Sequence, residues 1–257
     1  GSASEMFWLA RKFQQPVLAW EQRRQLGDSD ALDLVWYDPR GGGPRSEGVP
    51  TCARYRGAEL AFLRTAWEDP KALFVGFKGG DNRANHSHLD LGTFVFDGLG
   101  VRWVHDLGAD DYNLPGYFGG KRWTYYRLKS EGQNVVVIDG ENQDPKARSP
   151  LVGFGIDSKF SFAVADLTAA YPGRLKSHRR GIALVGGRRA LVLDEVEVSK
   201  PAELRWTIHV PSEIQLQGER AEITAREEKM AVRVIEPAGA TLEVLTASGP
   251  QPEAQAR

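Results

Sequence analysis

Apolar positions recur at three- and four-residue steps near the start of the chain, which is typical of a helix. Within residues 4–26 they are Met6, Phe7, Leu9, Phe13, Val17, Leu18 and Trp20. Because a proline inside a helix costs about 3 kcal/mol, Pro16 predicts two short helices or one kinked helix, ending near Gly27. A helical segment this short must pack on something else. We therefore expect residues 1–27 to be the end of a larger helical domain.

The pattern changes after residue 27. Residues 28–56 contain Asp38-Pro39, Gly41-Gly42-Gly43-Pro44 and Val49-Pro50, which predict an irregular linker. From 57 to 247, short runs rich in Val, Ile, Phe, Tyr and Thr alternate with turn residues, and 248–257 is a predicted flexible tail. The predicted strands are 72–78, 91–97, 101–107, 133–139, 160–166, 180–186, 189–198, 203–210, 221–225, 229–235 and 241–246. Without interleaved helices, they indicate a mainly β fold, a large antiparallel β-sandwich or barrel.

Composition narrows the possible partners. The 257 residues are 41% hydrophobic, their net charge is -1, and no apolar run is long enough to cross a bilayer. We therefore expect a globular chain that binds neither nucleic acid nor membrane. Cys52 is the only cysteine, which excludes an internal disulfide and a thiolate zinc cluster. Gly1-Ser2 is typical of a tag-cleavage remnant, so we expect the natural N-terminus to be missing.

The segment Asn85-His86-Ser87-His88-Leu89-Asp90 is the most unusual in the sequence. If it were extended, His86, His88 and Asp90 would share one face. Two imidazoles and a carboxylate suit zinc, although a solvated face is the commoner explanation of such a pattern. A three-residue turn at 98–100 would pair residue 97 with 101 and place 106 opposite 92, so a bulge or a register shift would be needed to bring Asp106 to His88.

Aromatic and basic residues cluster after this segment, at Tyr112, Tyr117, Phe118, Arg122, Trp123, Tyr125, Tyr126 and Arg127. Aromatic faces and arginine forks suit an acidic sugar chain, although about half of such aromatics are expected in a core. Among the other histidines, we expect His105 to pack or face solvent, His178 to lie in a solvated basic cluster, and His209 to be a satisfied interior residue.

Several spaced motifs over residues 57–210 resemble the C-terminal region of the heparinase II/III-like polysaccharide lyases. They are Gly79-Gly80 with 85–94, Arg102-Trp103-Val104-His105-Asp106-Leu107-Gly108 with Tyr112, Arg122-Trp123-Thr124-Tyr125-Tyr126-Arg127, and 131–140. The resemblance implies an α/α toroid followed by a β-sandwich, of which this chain keeps the last helical piece and the sandwich. It also implies β-elimination at a uronic acid of an acidic polysaccharide.

The same resemblance implies roles for individual residues. His86 matches the active-site histidine, and we expect His86 and Tyr112 to be catalytic, with Arg83, Asn85, Tyr117 and Arg122 binding substrate. The zinc ligands would be His88, Asp106 and Gln133. Relatives carry a histidine at the position of Gln133, and an amide oxygen is a far poorer zinc ligand.

The principal catalytic tyrosine and the carboxylate-neutralising residue of relatives belong to the toroid. We therefore expect little activity from this chain alone, packing against its own toroid, a periplasmic or secreted location, and a possible homo-oligomer. One alternative is a non-catalytic carbohydrate-binding or scaffolding sandwich with a structural metal. Another is a metal-dependent hydrolase.

Overall fold

A computed structural model describes residues 3–27, 29–157 and 159–247. The chain divides into two compact units, one of Gly1–Thr51 with Ala66–Asp69 and the other of Cys52–Thr65 with Pro70–Arg257. Within the described residues, no helix has the length and apolarity needed to cross a membrane. The tail predicted at 248–257 lies outside the described residues.

The first unit contains the helices α1 (Glu5–Lys12), α2 (Pro16–Gln25) and α3 (Ala31–Trp36). The prediction of two short helices is confirmed, because Pro16 takes the first position of α2, where its missing N–H costs nothing. The C-cap of α2 is Leu26 rather than Gly27. The linker prediction for 28–56 is wrong at α3, which Asp30 starts with a capping box, and at the first strand.

The second unit is built from short strands. Those within the described residues are β1 (Ala53–Tyr55), β2 (Leu60–Arg64), β3 (Phe74–Lys78), β4 (Gly80–Asp81), β5 (Phe94–Gly98), β6 (Val101–Val104), β7 (Val136–Ile138), β8 (Arg148–Ser149), β9 (Leu151–Ile156), β10 (Phe160–Asp166), β11 (Leu175–Val185), β12 (Arg189–Val198), β13 (Leu204–Trp206), β14 (Glu213–Gln217), β15 (Arg220–Ala225) and β16 (Glu228–Arg233).

All pairings between these strands are antiparallel. The two larger sheets have the orders β1-β2-β3-β5-β6 and β12-β11-β10-β9, and smaller sheets join β13 to β7, β14 to β15 to β16, and β4 to β8. Along β2 and β10, buried residues alternate with more exposed ones. Both larger sheets contribute to one buried cluster, which includes Leu63, Val75, Ala163 and Ile182. The mainly β, antiparallel sandwich is therefore confirmed.

Several strand predictions need correction. The runs 160–166 and 189–198 match β10 and β12, but 241–246 is not a strand, and β2 and β9 were missed. The turn between β5 and β6 has two residues, not three: Gly98 pairs with Val101, and both Leu99 and Gly100 have positive φ, as in the tight turns that suit a twisted hairpin. A bulge between Phe96 and Asp97 then shifts the register.

Candidate functional site

The segment from Asn82 to Gly92 is a loop of turns between β4 and β5, not an extended strand. The prediction that His86, His88 and Asp90 share one face is therefore wrong. His86 adopts a left-handed backbone with φ 61° and is exposed, whereas Asp90 is buried and accepts from Lys78 Nζ at 2.6 and 2.8 Å. The alternation of polar residues predicted a strand, but in this loop of turns each side chain lies in a different environment.

His86 lies against two exposed aromatic rings. Its ring is stacked on Tyr112 with centroids 5.9 Å apart and planes 16° apart, and it is nearly perpendicular to the ring of Phe118, with centroids 5.8 Å apart. Tyr112 is 51% exposed and Phe118 is 60% exposed. The structure therefore brings the two predicted catalytic residues together on an open surface, beside a third ring that the site prediction did not include.

Arg122 links the loop 82–92, called the His86 loop below, to the aromatic segment 112–127. It donates from Nη2 to the carbonyl of Ser87 at 2.7 Å, and its guanidinium lies 5.1 Å from the centre of the Tyr117 ring and 5.0 Å from that of Trp123. These contacts use much of the guanidinium that we expected to bind substrate. The arginine thus fixes the backbone one residue after His86.

The substrate-binding prediction for Tyr117 is wrong, because its side chain is only 2% exposed. Tyr117 packs with Tyr125 and Leu128 in a small core of its own, and its hydroxyl accepts from the backbone of Asp110 at 3.2 Å. Its ring instead supports Tyr112, at a centroid distance of 5.2 Å.

The other two predicted substrate-binding residues are exposed on the same loop. Arg83 forms a two-pronged ion pair with Asp81, with distances of 3.0 and 2.8 Å. This pair lowers the pKa of Asp81 to about 2, chiefly through the side-chain hydrogen bond from Arg83. Asn85 is exposed next to His86. Both residues are thus accessible from solvent.

Whether His88, Asp106 and Gln133 can bind zinc depends on the direction of their donor atoms. Gln133 turns its side-chain nitrogen toward His88 Nδ1 at 3.3 Å, while its Oε1 is buried with no hydrogen-bond partner. One oxygen of Asp106 accepts from Gly108 N at 2.6 Å. No three His, Cys, Asp or Glu side chains in the described ranges are grouped so that they could hold a metal. As arranged, the residues present do not fit zinc.

Burial lowers the pKa of His88 and is the largest effect on it, while the charges of Asp90 and Asp106 raise this pKa. The charge of Asp106 acts in the same way on His209, where burial again lowers the pKa. The charge of Asp106 therefore acts on both rings. A bulge between Phe96 and Asp97 lies in the hairpin that leads to Asp106.

Asn134 joins the backbone at Phe94, His105 and His209, and we call the region formed by these residues with His88 and Gln133 the corner. The sequence prediction missed Asn134. Its side chain donates to the carbonyls of Phe94 and His105, at 2.9 and 2.7 Å, and its oxygen accepts from the backbone N of His209 at 2.8 Å. The ring of His209 lies between Asn134 Oδ1 and the hydroxyl of Tyr126, 3.1 Å from each. The interior position predicted for His209 is confirmed.

A buried ion pair supports the same corner from the sandwich core. Arg180 has no exposed surface; it holds Asp194 with two nitrogens and donates to the carbonyls of Gly92 and Asn134, each at 2.9 Å. His178 is also buried and lies 2.8 Å from Asp194, so the solvated location predicted for it is wrong. Arg180 thus ties the end of the His86 loop to the residue after Gln133.

Burial alone would raise the pKa of Asp194. The charge of Arg180 and the hydrogen bonds from His178 and Arg180 outweigh burial and lower the pKa to about 2. The carboxylate is therefore charged throughout the neutral range, which matches the permanent charge of its arginine partner.

Comparison with known proteins agrees with this architecture. A family model described as "Heparinase II/III-like, C-terminal" matches residues 70–248. Heparan sulfate lyase HepC from Pedobacter heparinus superposes with a TM-score of 0.66 and 15% identity, over 87% of this chain and 32% of that one. A heparinase III gene product gives 0.71 and 17% identity, over 93% and 34%. Another heparinase III gives 0.67 and 18% identity, over 90% and 34%.

The chain thus spans about a third of the length of these structures. No curated protein matches it at a significant level.

Proposed function

The chain belongs to the heparinase II/III-like family through its C-terminal domain, and on this premise we propose that it is the sandwich portion of a lyase that cleaves uronate-containing acidic polysaccharide by β-elimination. The observation that carries the proposal is the exposed His86 ring, stacked on Tyr112 at 5.9 Å on an open surface. Both rings carry groups that can exchange protons, and both are accessible to a polymer.

β-Elimination needs three things. A base removes the proton at C5 of the uronate, a partner stabilises the negative charge that develops on the carboxylate side, and an acid protonates the departing glycosidic oxygen. An imidazole can accept or donate a proton near neutral pH, so we assign His86 to acid–base work, with the Tyr112 hydroxyl as a second proton-transfer group. Arg122 acts on His86 indirectly, through Ser87.

The rings around His86 also suit the substrate. Pyranose rings present apolar faces of C–H groups that pack on aromatic side chains, and the exposed rings of Tyr112 and Phe118 offer such faces beside His86. Arg83 lies on the same loop, although its pairing with Asp81 must be loosened before it can bind a sugar carboxylate. We propose that this surface forms one wall of the cleft.

We propose that the other wall is formed by residues outside this chain. The chain spans about a third of the heparinase structures it resembles. We propose that the isolated chain has little or no lyase activity and that the complete protein acts outside the cytoplasm, where it meets its polymer.

The proposal is tested by the chemistry of the products. The complete protein and the isolated chain are incubated with a panel of uronate polymers, including heparan sulfate and alginate, and new chain ends are analysed by ultraviolet absorbance and mass spectrometry. We expect the complete protein to form unsaturated uronate on at least one polymer. Products without a new double bond indicate a hydrolase, and binding without any cleavage indicates a carbohydrate-binding module; either result would refute the lyase proposal.

A further inference from the structure

The side chain of Gln133 holds two segments of the corner together. It is 1% exposed, and its Nε2 donates to the carbonyl of Arg127 at 2.6 Å while facing His88 Nδ1 at 3.3 Å. Its backbone is fixed as well, because its carbonyl accepts from the hydroxyl of Thr207 at 2.8 Å. The amide cannot move away without breaking these contacts.

The amide also has only one sensible orientation. Turning it over would place Oε1 at the position of Nε2, so that two carbonyl oxygens, those of Gln133 and Arg127, would lie 2.6 Å apart. With the nitrogen in place, one N–H is directed at Arg127 and the other at His88 Nδ1. A cation bound to that ring nitrogen would meet the positive end of an N–H instead of a lone pair.

We infer that Gln133 takes the place of a metal ion at this corner: its amide hydrogen-bonds His88 directly, and the chain needs no zinc there. His88 is then the neutral tautomer with its proton on Nε2, because Nδ1 accepts from Gln133. This inference does not depend on whether the complete protein is a lyase.

The first test is the metal content of the 257-residue chain. Wild type, Q133H and Q133E are loaded with zinc chloride, dialysed and measured for zinc per chain and for the melting temperature with zinc or with EDTA. We expect wild type to retain far less than one zinc per chain and to melt at the same temperature in both solutions. Q133H supplies a third nitrogen ligand, so it should retain about one zinc per chain and melt higher with zinc.

Two controls make the result decisive. Zinc bound by Q133H should be lost again in Q133H/D106N. If Q133H does not fold, Q133E serves as the third-ligand variant, because glutamate differs from glutamine by one non-hydrogen atom. Wild type that retains one zinc, and loses it in D106N, would overturn the inference. Failure of every folded third-ligand variant to gain zinc would overturn it as well.

The second test reads the hydrogen bond itself. Nitrogen-15 NMR of the histidine rings distinguishes a protonated Nε2 from a protonated Nδ1. We expect His88 to carry its proton on Nε2 in wild type, and Q133M, which has a similar shape but no donor, to lose the signature of an accepted hydrogen bond at Nδ1. A wild-type His88 with its proton on Nδ1 contradicts the inference, whatever the zinc measurement gives.

Discussion

Arg122 and Ser87 are joined by a hydrogen bond of 2.7 Å between the guanidinium and the backbone carbonyl, although they lie 35 residues apart in the chain. The carbonyl belongs to the residue after His86, whose backbone is left-handed. A left-handed conformation is uncommon for a residue other than glycine, so it persists where neighbouring contacts hold it. The position of the His86 ring therefore depends on Arg122, although Arg122 donates its hydrogen bond to Ser87 and not to His86.

Replacing Arg122 should lower turnover without abolishing polysaccharide binding. R122Q removes the guanidinium that donates to the Ser87 carbonyl. A misplacement of about 1 Å can cost about 10²-fold in rate, so we expect kcat of the complete protein to fall by about 10- to 100-fold. R122K keeps the charge but not the planar fork and should fall between the two. The matched control is R102Q, because Arg102 forms an exposed ion pair with Asp97. Equal kcat for R122Q and R102Q would show that the fastening is unimportant.

Breaking the buried ion pair should strongly destabilise the sandwich. D194N leaves the guanidinium of Arg180 without a charged partner in the core, and removing one member of such a pair costs about 3–5 kcal/mol. Urea unfolding of the isolated chain measures the change. E197Q is the control on the same strand, because Glu197 pairs with Lys176 at the surface and should change stability by less than about 1 kcal/mol. A D194N effect no larger than that of E197Q would contradict the burial argument.

The same carboxylate gives a pH dependence. The pKa of Asp194 is about 2 in the folded chain, below the ordinary value of about 3.9 in an unfolded chain. Its contribution to the free energy of unfolding should therefore be complete above about pH 4 and be lost as the pH falls toward 2. Acid titration of stability should show this loss in wild type and a smaller loss in D194N. Identical slopes would mean that Asp194 does not have a lowered pKa.

Asn134 should be a larger determinant of stability than its small side chain suggests. N134A leaves the carbonyls of Phe94 and His105 and the backbone N of His209 without their partners, and a buried unsatisfied group costs about 1–3 kcal/mol. We expect a loss of about 3 kcal/mol or more in urea unfolding. N113A removes an exposed local contact with Asp111 and should change stability by no more than about 0.5 kcal/mol. Equal effects would refute the role given to Asn134.

Substitution of an exposed aromatic residue should affect binding or turnover, whereas substitution of a buried one should affect stability. F118A and Y112F alter the open surface, so F118A should weaken binding of a uronate oligosaccharide to the complete protein, and Y112F should lower turnover. Y117F removes only a buried hydroxyl that accepts from Asp110, so it should leave binding unchanged and cost about 1 kcal/mol of stability. Weaker binding by Y117F but not by F118A would reverse the assignment of the two rings.

The fold was predictable where local pattern and packing agree. In β3, within the predicted run 72–78, Val75 and Phe77 lie on the buried face, and Pro16 separates two helices as its missing N–H requires. The prediction failed at residues 85–90, where the alternation of His and Asp is the same as in a strand. The turns there are fixed by distant contacts, among them Arg122 to Ser87 and Lys78 to Asp90, which one sequence does not display.

The positions of Arg180 and Asp194 in their strands are a sequence signal from which the buried ion pair could have been predicted. On β11, His178 and Arg180 occupy the same phase as the buried Ile182 and Leu184, and on β12 Asp194 occupies the phase of Val192. A charged residue in the apolar phase of a strand predicts a buried ion pair. Which carbonyls Arg180 would bind depends on the packing of Gly92 and Asn134 against it, and no periodicity reveals that.

The role of His86 in proton transfer is tested most directly by comparing H86Q with H105Q in the complete protein, at saturating polymer and with binding measured separately. General acid–base groups contribute about 10²- to 10⁴-fold, so we expect H86Q to lose turnover by that factor while still binding polymer. H105Q should stay near the wild-type rate, because the His105 ring contacts the carbonyl of Arg102 instead of the His86 loop. An H86Q protein that forms unsaturated product at the wild-type rate would contradict the account.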